Sequence, residues 1–254
     1  LVVNGCSLTY CQELEDPKTQ GWPALLAKKL GVPVVNLAYC GSGNDGIARR
    51  SMEYFFKDRK NNNKPFYIHA WSYLTRREDV FQTVSGEIVA VDIKSSSHEL
   101  IASANICIPD DIKQTLTVSE SLINLSLNIA ERKKMFWWIT MMNFFKSNSI
   151  PFLMSDYMPT DDVNVTAYIN DYYPEMRDYI DQDHSRLINF NSLTEKFPKM
   201  PQGHDGYEAQ HILADYIYSE IIKRYGEVRF QNIDYYKLSE FYSYKDLTHN
   251  LEWT

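Results

Sequence analysis

Val3-Asn4-Gly5-Cys6-Ser7-Leu8-Thr9 closes a short apolar run, Leu1-Val2-Val3, on a glycine and presents a serine two residues later. The apolar run reads as the end of a buried parallel strand. Gly5, lacking a Cβ, permits the sharp turn that lifts the Ser7 hydroxyl off the strand's carboxyl end. Ligands of open α/β sheets collect at that edge, which makes Ser7 a candidate nucleophile. The same residues also suit an ordinary turn serine, so the decision falls to the rest of the chain.

Outward from this turn, the spacing of Trp22, Leu25, Leu26 and Leu30 predicts a helix ended by Gly31-Val32-Pro33. Val34-Val35-Asn36-Leu37-Ala38 is a second strand and Lys64-Pro65-Phe66-Tyr67-Ile68-His69-Ala70-Trp71 a third, with a helix carrying Ile47, Met52, Phe55 and Phe56 between them. Strand and helix thus alternate through the first 80 or so residues, the pattern of a parallel sheet with right-handed crossovers. Regularity lapses over 76–117, an insertion with room for a hairpin strand at Gly86-Glu87-Ile88-Val89-Ala90-Val91-Asp92. It serves either as a plain surface excursion or as a lid. A long helix, or two in succession, is expected over 118–146. Pro151-Phe152-Leu153-Met154-Ser155 is a fourth strand, Leu187-Ile188-Asn189-Phe190 a short fifth, and 206–225 the last helix, with Ile212, Leu213, Ile217 and Ile221 at helical spacing. The expected division is one domain over 1–226 and an extension over 227–254. From Val228 to Thr254 that extension is rich in Tyr, Phe and Trp, and should pack on the domain or on a protein partner.

Composition narrows the function classes. The 254 residues, 44% hydrophobic, suffice for one sizeable core. Against 33 Asp+Glu stand 26 Lys+Arg, a formal charge of -7, and Arg76-Arg77 is neutralised by Glu78-Asp79, so no nucleic-acid surface is expected. The longest apolar run, Met135 to Met142, is too short to span a bilayer, which needs roughly 20 residues, and is read as part of a core-facing helix. The chain opens directly on a strand without a charged leader pattern, and a cytoplasmic or otherwise soluble protein is expected. Cys6, Cys11, Cys40 and Cys107 follow no zinc spacing and read as reduced thiols.

Two further stretches stand at strand ends. Asn36-Leu37-Ala38-Tyr39-Cys40-Gly41-Ser42-Gly43-Asn44 is a glycine-rich turn after the second strand, and Gly203-His204-Asp205-Gly206-Tyr207-Glu208-Ala209-Gln210 opens the final helix. With Gly5-Cys6-Ser7-Leu8-Thr9 they form an ordered set that resembles the sequence blocks of the SGNH, or GDSL, hydrolases. The resemblance implies a three-layer α/β/α, flavodoxin-like fold with a parallel sheet of about five strands. It also implies serine-esterase chemistry, with Ser7 as nucleophile, His204 as general base and acid, and Gly41 donating its N–H to the oxyanion. Histidine suits that role because its ordinary pKa near 6.5 lets it take and return a proton. A fixed N–H aimed at the developing oxyanion is worth about 3–4 kcal/mol.

The chain departs from the family pattern in three places. Cys6 replaces the aspartate beside the nucleophile. The third strand runs out into Ser72 where the family carries an oxyanion asparagine, and Ser72 is the nearest positional match. Pro201 occupies the position, three residues before the histidine, of the orienting aspartate. Asp156, just past the fourth strand, and Glu195 are the candidate replacements for that acid, while Trp71 and Tyr73 are candidates to stack on a sugar. The expected reaction is hydrolysis of a short acyl ester, including an O-acetyl group on a carbohydrate, without metal or organic cofactor. Two other classes stay open: a module that keeps the fold without turnover, and phosphate binding at Gly41-Ser42-Gly43.

Overall fold

The computed structural model describes residues 1–58, 65–73, 76–82, 88–95, 100–102, 127–157, 174–183, 185–226 and 239–241. Eight strands are described: β1 (Val2–Asn4), β2 (Val34–Asn36), β3 (Tyr67–Trp71), β4 (Arg76–Gln82), β5 (Ile88–Ser95), β6 (Leu100–Ala102), β7 (Phe152–Asp156) and β8 (Ser239–Phe241). The main sheet has the order β7-β3-β1-β2-β8, and every pairing in it is parallel. Because β2 lies to one side of β1 and β3 to the other, the strand order reverses beside β1. The carboxyl end of β1 is therefore where an α/β sheet opens its ligand crevice.

One expected strand is corrected. Leu187-Ile188-Asn189-Phe190 follows the edge of β7, with Leu187 N–H donating to Met154 O at 2.7 Å and a lone bridge at Arg186, but it becomes no strand, since helix begins at Phe190. The fifth strand is β8, whose Ser239, Glu240 and Phe241 pair with Val34, Val35 and Asn36 and cover the open edge of β2. Within the insertion, β4, β5 and β6 make a separate antiparallel sheet. The lid reading falls on residues that lie largely outside those described, as does most of the 227–254 extension.

The described helices are α1 (Ser7–Tyr10), α2 (Pro17–Gln20), α3 (Trp22–Leu30), α4 (Asn44–Asp58), α5 (Leu127–Ser147), α6 (Pro174–Asp181), α7 (Phe190–Thr194) and α8 (Tyr207–Tyr225). α3 starts with proline in its first turn and stops at Gly31, whose φ of 70° is the left-handed conformation that ends a helix, with Lys28 and Lys29 placed against the negative end of the dipole. α8 carries Glu208 in its first turn and Lys223 and Arg224 in its last.

Strand residues alternate between two cores. Val3, Ile68, Ala70 and Leu153 face Trp22 and Leu26 of α3, Phe190 of α7 and Leu213, Ile217 and Ile221 of α8. Val2, Tyr67, Trp71 and Met154 face Ile47 of α4 and Met135, Trp138, Met141 and Phe145 of α5. Of the apolar run read from sequence as a core-facing helix, Met135, Trp138, Met141 and Met142 form the inner face of α5, while Phe136 is exposed. Each fully buried large apolar side chain in these layers contributes roughly 1.5–3 kcal/mol, which accounts for the sheet being apolar on both faces. Among the described residues no helix is long and apolar enough to cross a membrane.

Candidate active site

The turn after β1 is built by close approach. A Cβ on Gly5 would stand 2.1 Å from Thr9 Oγ1 and 2.9 Å from Ala70 O, so only glycine lets β1 pass under the first turn of α1 and against β3. The sequence reading gave Gly5 the role of conformational freedom, but its φ is not positive, and lack of space is the reason for the glycine. Cys6 caps α1 in an extended conformation, its carbonyl accepting from Thr9 N–H at 3.0 Å and Tyr10 N–H at 2.8 Å. Its side chain is wholly buried in the apolar core, where a thiol sits at less cost than a carboxylate. Cys6, Cys11 and Cys40 are free thiols. Ser7 is the first residue of α1. It is only 4% exposed rather than a surface turn residue, and its hydroxyl makes no hydrogen bond to another described residue.

Three asparagines hold the loops around Ser7. Asn4 accepts from Gly5 N–H at 2.8 Å and donates to Ile47 O and Ser51 Oγ on α4, both at 2.8 Å. Asn36, at the end of β2, accepts from Ala38 N–H at 3.0 Å and donates to Thr9 O at 3.2 Å. Asn44, at the start of α4, accepts from Ser72 N–H at 2.8 Å and donates to Ser72 O at 3.3 Å. Each amide ties one strand's exit to another element, so the turns after β1, β2 and β3 form a single braced unit.

The Gly41 loop joins this unit through Tyr39 N–H, which donates to Gly5 O at 3.2 Å, and Gly41 takes a φ of 84° that favours glycine. Behind the loop, the buried Arg50 guanidinium donates to Ser42 Oγ. Ser72 is wholly buried. Its N–H is occupied by Asn44, and its hydroxyl accepts from Arg76 Nη1 at 3.3 Å. Tyr73 is half-buried, with the Arg76 guanidinium 5.0 Å from its ring centroid. Burial raises the pKa of its phenol, an effect reinforced by Cys6 and Asp205 and opposed by Arg76.

His204 lies on the loop before α8, and its partner is one that the sequence did not suggest. Glu13 Oε2 is 2.6 Å from His204 Nδ1 and accepts from the His204 N–H at 3.3 Å, while Glu13 Oε1 accepts from Gln202 N–H at 2.8 Å. The two side chains are 14% and 9% exposed. Desolvation pushes the Glu13 pKa up, but the hydrogen bonds from Gln202 and His204 outweigh it, and the carboxyl titrates below its ordinary range. A carboxylate at Nδ1 holds the proton there and leaves Nε2 as the basic nitrogen. The start of α8 is docked beside it. Gln210 Oε1 accepts from Trp22 N–H at 3.1 Å and from Cys11 Sγ at 3.3 Å, and Gln210 Nε2 donates to Asp205 O at 3.0 Å.

The acid on the imidazole is thus Glu13, in place of the two expected candidates. Asp156 is held at the end of β7 by Lys134 at 3.5 Å and by Asn189 at 2.5 Å, and Glu195 is exposed at the C-terminus of α7. Trp71 is also corrected. Its ring is fully buried and stacked on Trp138 with centroids 5.8 Å apart, so it offers no face to a ligand. The sequence did contain one signal for Glu13, an acid six residues after Ser7. That signal is carried by a non-glycine residue with a φ of 74°, a conformation the sequence does not announce.

No protein-family model matches the sequence, and no curated protein matches it. Solved structures do. The psychrotrophic esterase EstA from Pseudoalteromonas sp., determined inhibited by monoethylphosphonate, aligns over 87% of this chain and 96% of its own at 12% identity, with a TM-score of 0.51. TesA aligns over 87% of this chain and 96% of its own at 14% identity and a TM-score of 0.46. A G-D-S-L family lipolytic protein from Desulfitobacterium hafniense aligns over 86% and 98% at 13% identity and a TM-score of 0.46. The chain shares the α/β fold of the esterase EstA.

Proposed function

We propose that this chain is a serine esterase acting on short acyl esters, with Ser7, His204 and Glu13 as its reactive triad. The carrying observation is the Glu13 carboxylate on His204 Nδ1, reached from the turn that bears Ser7. The Ser7 oxygen attacks the acyl carbon while its proton passes to His204 Nε2. The tetrahedral intermediate collapses as that proton moves to the leaving alcohol, and water then repeats the sequence on the acyl-enzyme. The backbone N–H groups of Ser7 and Gly41 stabilise the oxyanion. No hydrogen bond joins Ser7 to His204 among the described residues, and this reading requires one to form on the bound ester.

A short acyl group on a carbohydrate is the substrate class proposed. With Trp71 in the core, Tyr73 is the aromatic left to meet a sugar. The test is adduct mass at Ser7 after a fluorophosphonate probe, together with turnover of aryl acetate, aryl butyrate and acetylated sugar. Labelling at Ser7 with turnover above Ser7→Ala supports the reading, and the absence of both overturns it. A second reading, a module of this fold without turnover, is favoured by one observation: Ser72 is buried and engaged where the family places an oxyanion amide.

A further inference from the structure

We infer that His69, acting through Ser51 and Asn4, is a positioning residue that fixes the turn carrying Ser7. The kinetic consequence rests on the esterase reading above, whereas the hydrogen-bonded chain itself does not.

The direction of each bond at Asn4 is forced. Gly5 N–H can only donate, so Asn4 turns Oδ1 towards it, and Ile47 O can only accept, so Asn4 turns Nδ2 towards that, each at 2.8 Å. The second Nδ2 hydrogen goes to Ser51 Oγ at 2.8 Å. Ser51 Oγ in turn lies 2.6 Å from His69 Nε2. Having accepted from Asn4, the Ser51 hydroxyl either gives its proton to His69 Nε2 or accepts from it on its second lone pair, and in both tautomers the imidazole holds Ser51 in place. All three residues are fully buried, and Asn4 and His69 face each other across the β1–β3 pairing.

Burial keeps the imidazole neutral, its pKa pushed down to about 3. Nε2 is engaged by Ser51, and Nδ1 has no partner among the described residues. A phenylalanine would fill the space against Trp71 and Phe145 without leaving a polar atom stranded. What the imidazole adds over a phenyl ring is the Nε2 hydrogen bond that orients Ser51. The chain of bonds therefore starts in the core under α5, passes through α4 and ends on the amide two residues before Ser7. Turns that drift by a fraction of an ångström lose alignment between nucleophile and base.

The test compares wild type with His69→Phe, Ser51→Ala and His69→Gln, whose side-chain amide reaches the Nε2 position. The readouts are hydrogen exchange at the Gly5 amide, and kcat and KM on an aryl acetate. In His69→Phe and Ser51→Ala, Gly5 exchange rises about 10-fold or more, and kcat falls on the order of 10-fold with KM within about twofold. His69→Gln recovers most of both. Gly5 exchange and kcat that are the same in His69→Phe, Ser51→Ala and wild type would overturn the inference. Should His69→Phe not fold, Ser51→Ala decides on the same readouts. If wild type neither labels at Ser7 nor turns over ester, the esterase reading falls, and Gly5 exchange alone decides whether the chain of bonds holds the turn.

Discussion

Glu13 and His204, 191 positions apart in sequence, meet at 2.6 Å through Oε2 and Nδ1, and the same carboxylate also holds the backbone of the histidine's loop. One side chain thereby sets both the orientation of the imidazole and the place of the segment that carries it.

Glu13→Gln removes the charge and leaves one acceptor oxygen where the carboxylate offers two, one to Gln202 and one to His204. Its kcat on aryl acetate should fall on the order of 10²- to 10⁴-fold, the range seen when the acid behind a catalytic histidine is lost. Asp156→Asn and Glu195→Gln should change kcat by less than about threefold, within the effect of substitutions that touch no reacting group. Equal losses in all three would remove Glu13 from the triad.

Ser7→Ala deletes a hydroxyl that is buried and has no hydrogen bond to another described residue, so its stability should stay within about 1 kcal/mol of wild type or rise slightly. Turnover should fall at least about 10³-fold and fluorophosphonate labelling should vanish. Calorimetry and intact mass report the two effects separately.

Acid should destabilise the fold through two groups in different windows. The folded pKa of His69 is depressed to about 3, so from its ordinary 6.5 downward the unfolded chain takes up a proton that the folded chain refuses. His69→Gln should flatten the fall in stability between those limits. Glu13 is also depressed, so its contribution is complete above its ordinary value near 4.5 and is lost as pH drops through its lower folded value. The stability gap between wild type and Glu13→Gln, measured by denaturant titration across pH, should therefore close only in the more acidic window.

Two glycine substitutions should separate crowding from conformation. Gly5→Ala sets a methyl against Thr9 and the backbone of Ala70 and should cost about 1–3 kcal/mol. At Gly203 nothing lies within 4 Å and φ is +87°, so Gly203→Ala should cost only about 1–2 kcal/mol of backbone strain. Urea midpoints of the two variants give the comparison.

What the sequence discloses here depends on how local the cause is. β1, β2, β3 and β7 are legible because strands buried on both faces read as apolar runs, and α3 and α8 because their glycine stops and charged ends lie within a turn of the helix. β8, Ser239-Glu240-Phe241, carries no apolar run, and exists because the edge of β2 is there to pair with. Leu187-Ile188-Asn189-Phe190 has the composition of a strand but meets β7 at one bridge and is claimed by α7. The candidate site divides in the same way. Ser7, Gly41 and His204 stand at turns that punctuation marks. Glu13 is chosen by a contact across nearly the whole chain, and Trp71 looks like a surface aromatic until Trp138 is packed against it.

Because the histidine's loop is fastened by a carboxylate from residue 13 rather than by a neighbour of its own, neither end of the sequence can assemble the reactive centre alone. On the proposed esterase reading, ester turnover would then report chain closure itself. A protein cut in the insertion between β3 and α5 into two complementary fragments should be silent in either half and recover activity only on reassociation, with Glu13→Gln in the first fragment weakening the rejoined enzyme as it does the intact one.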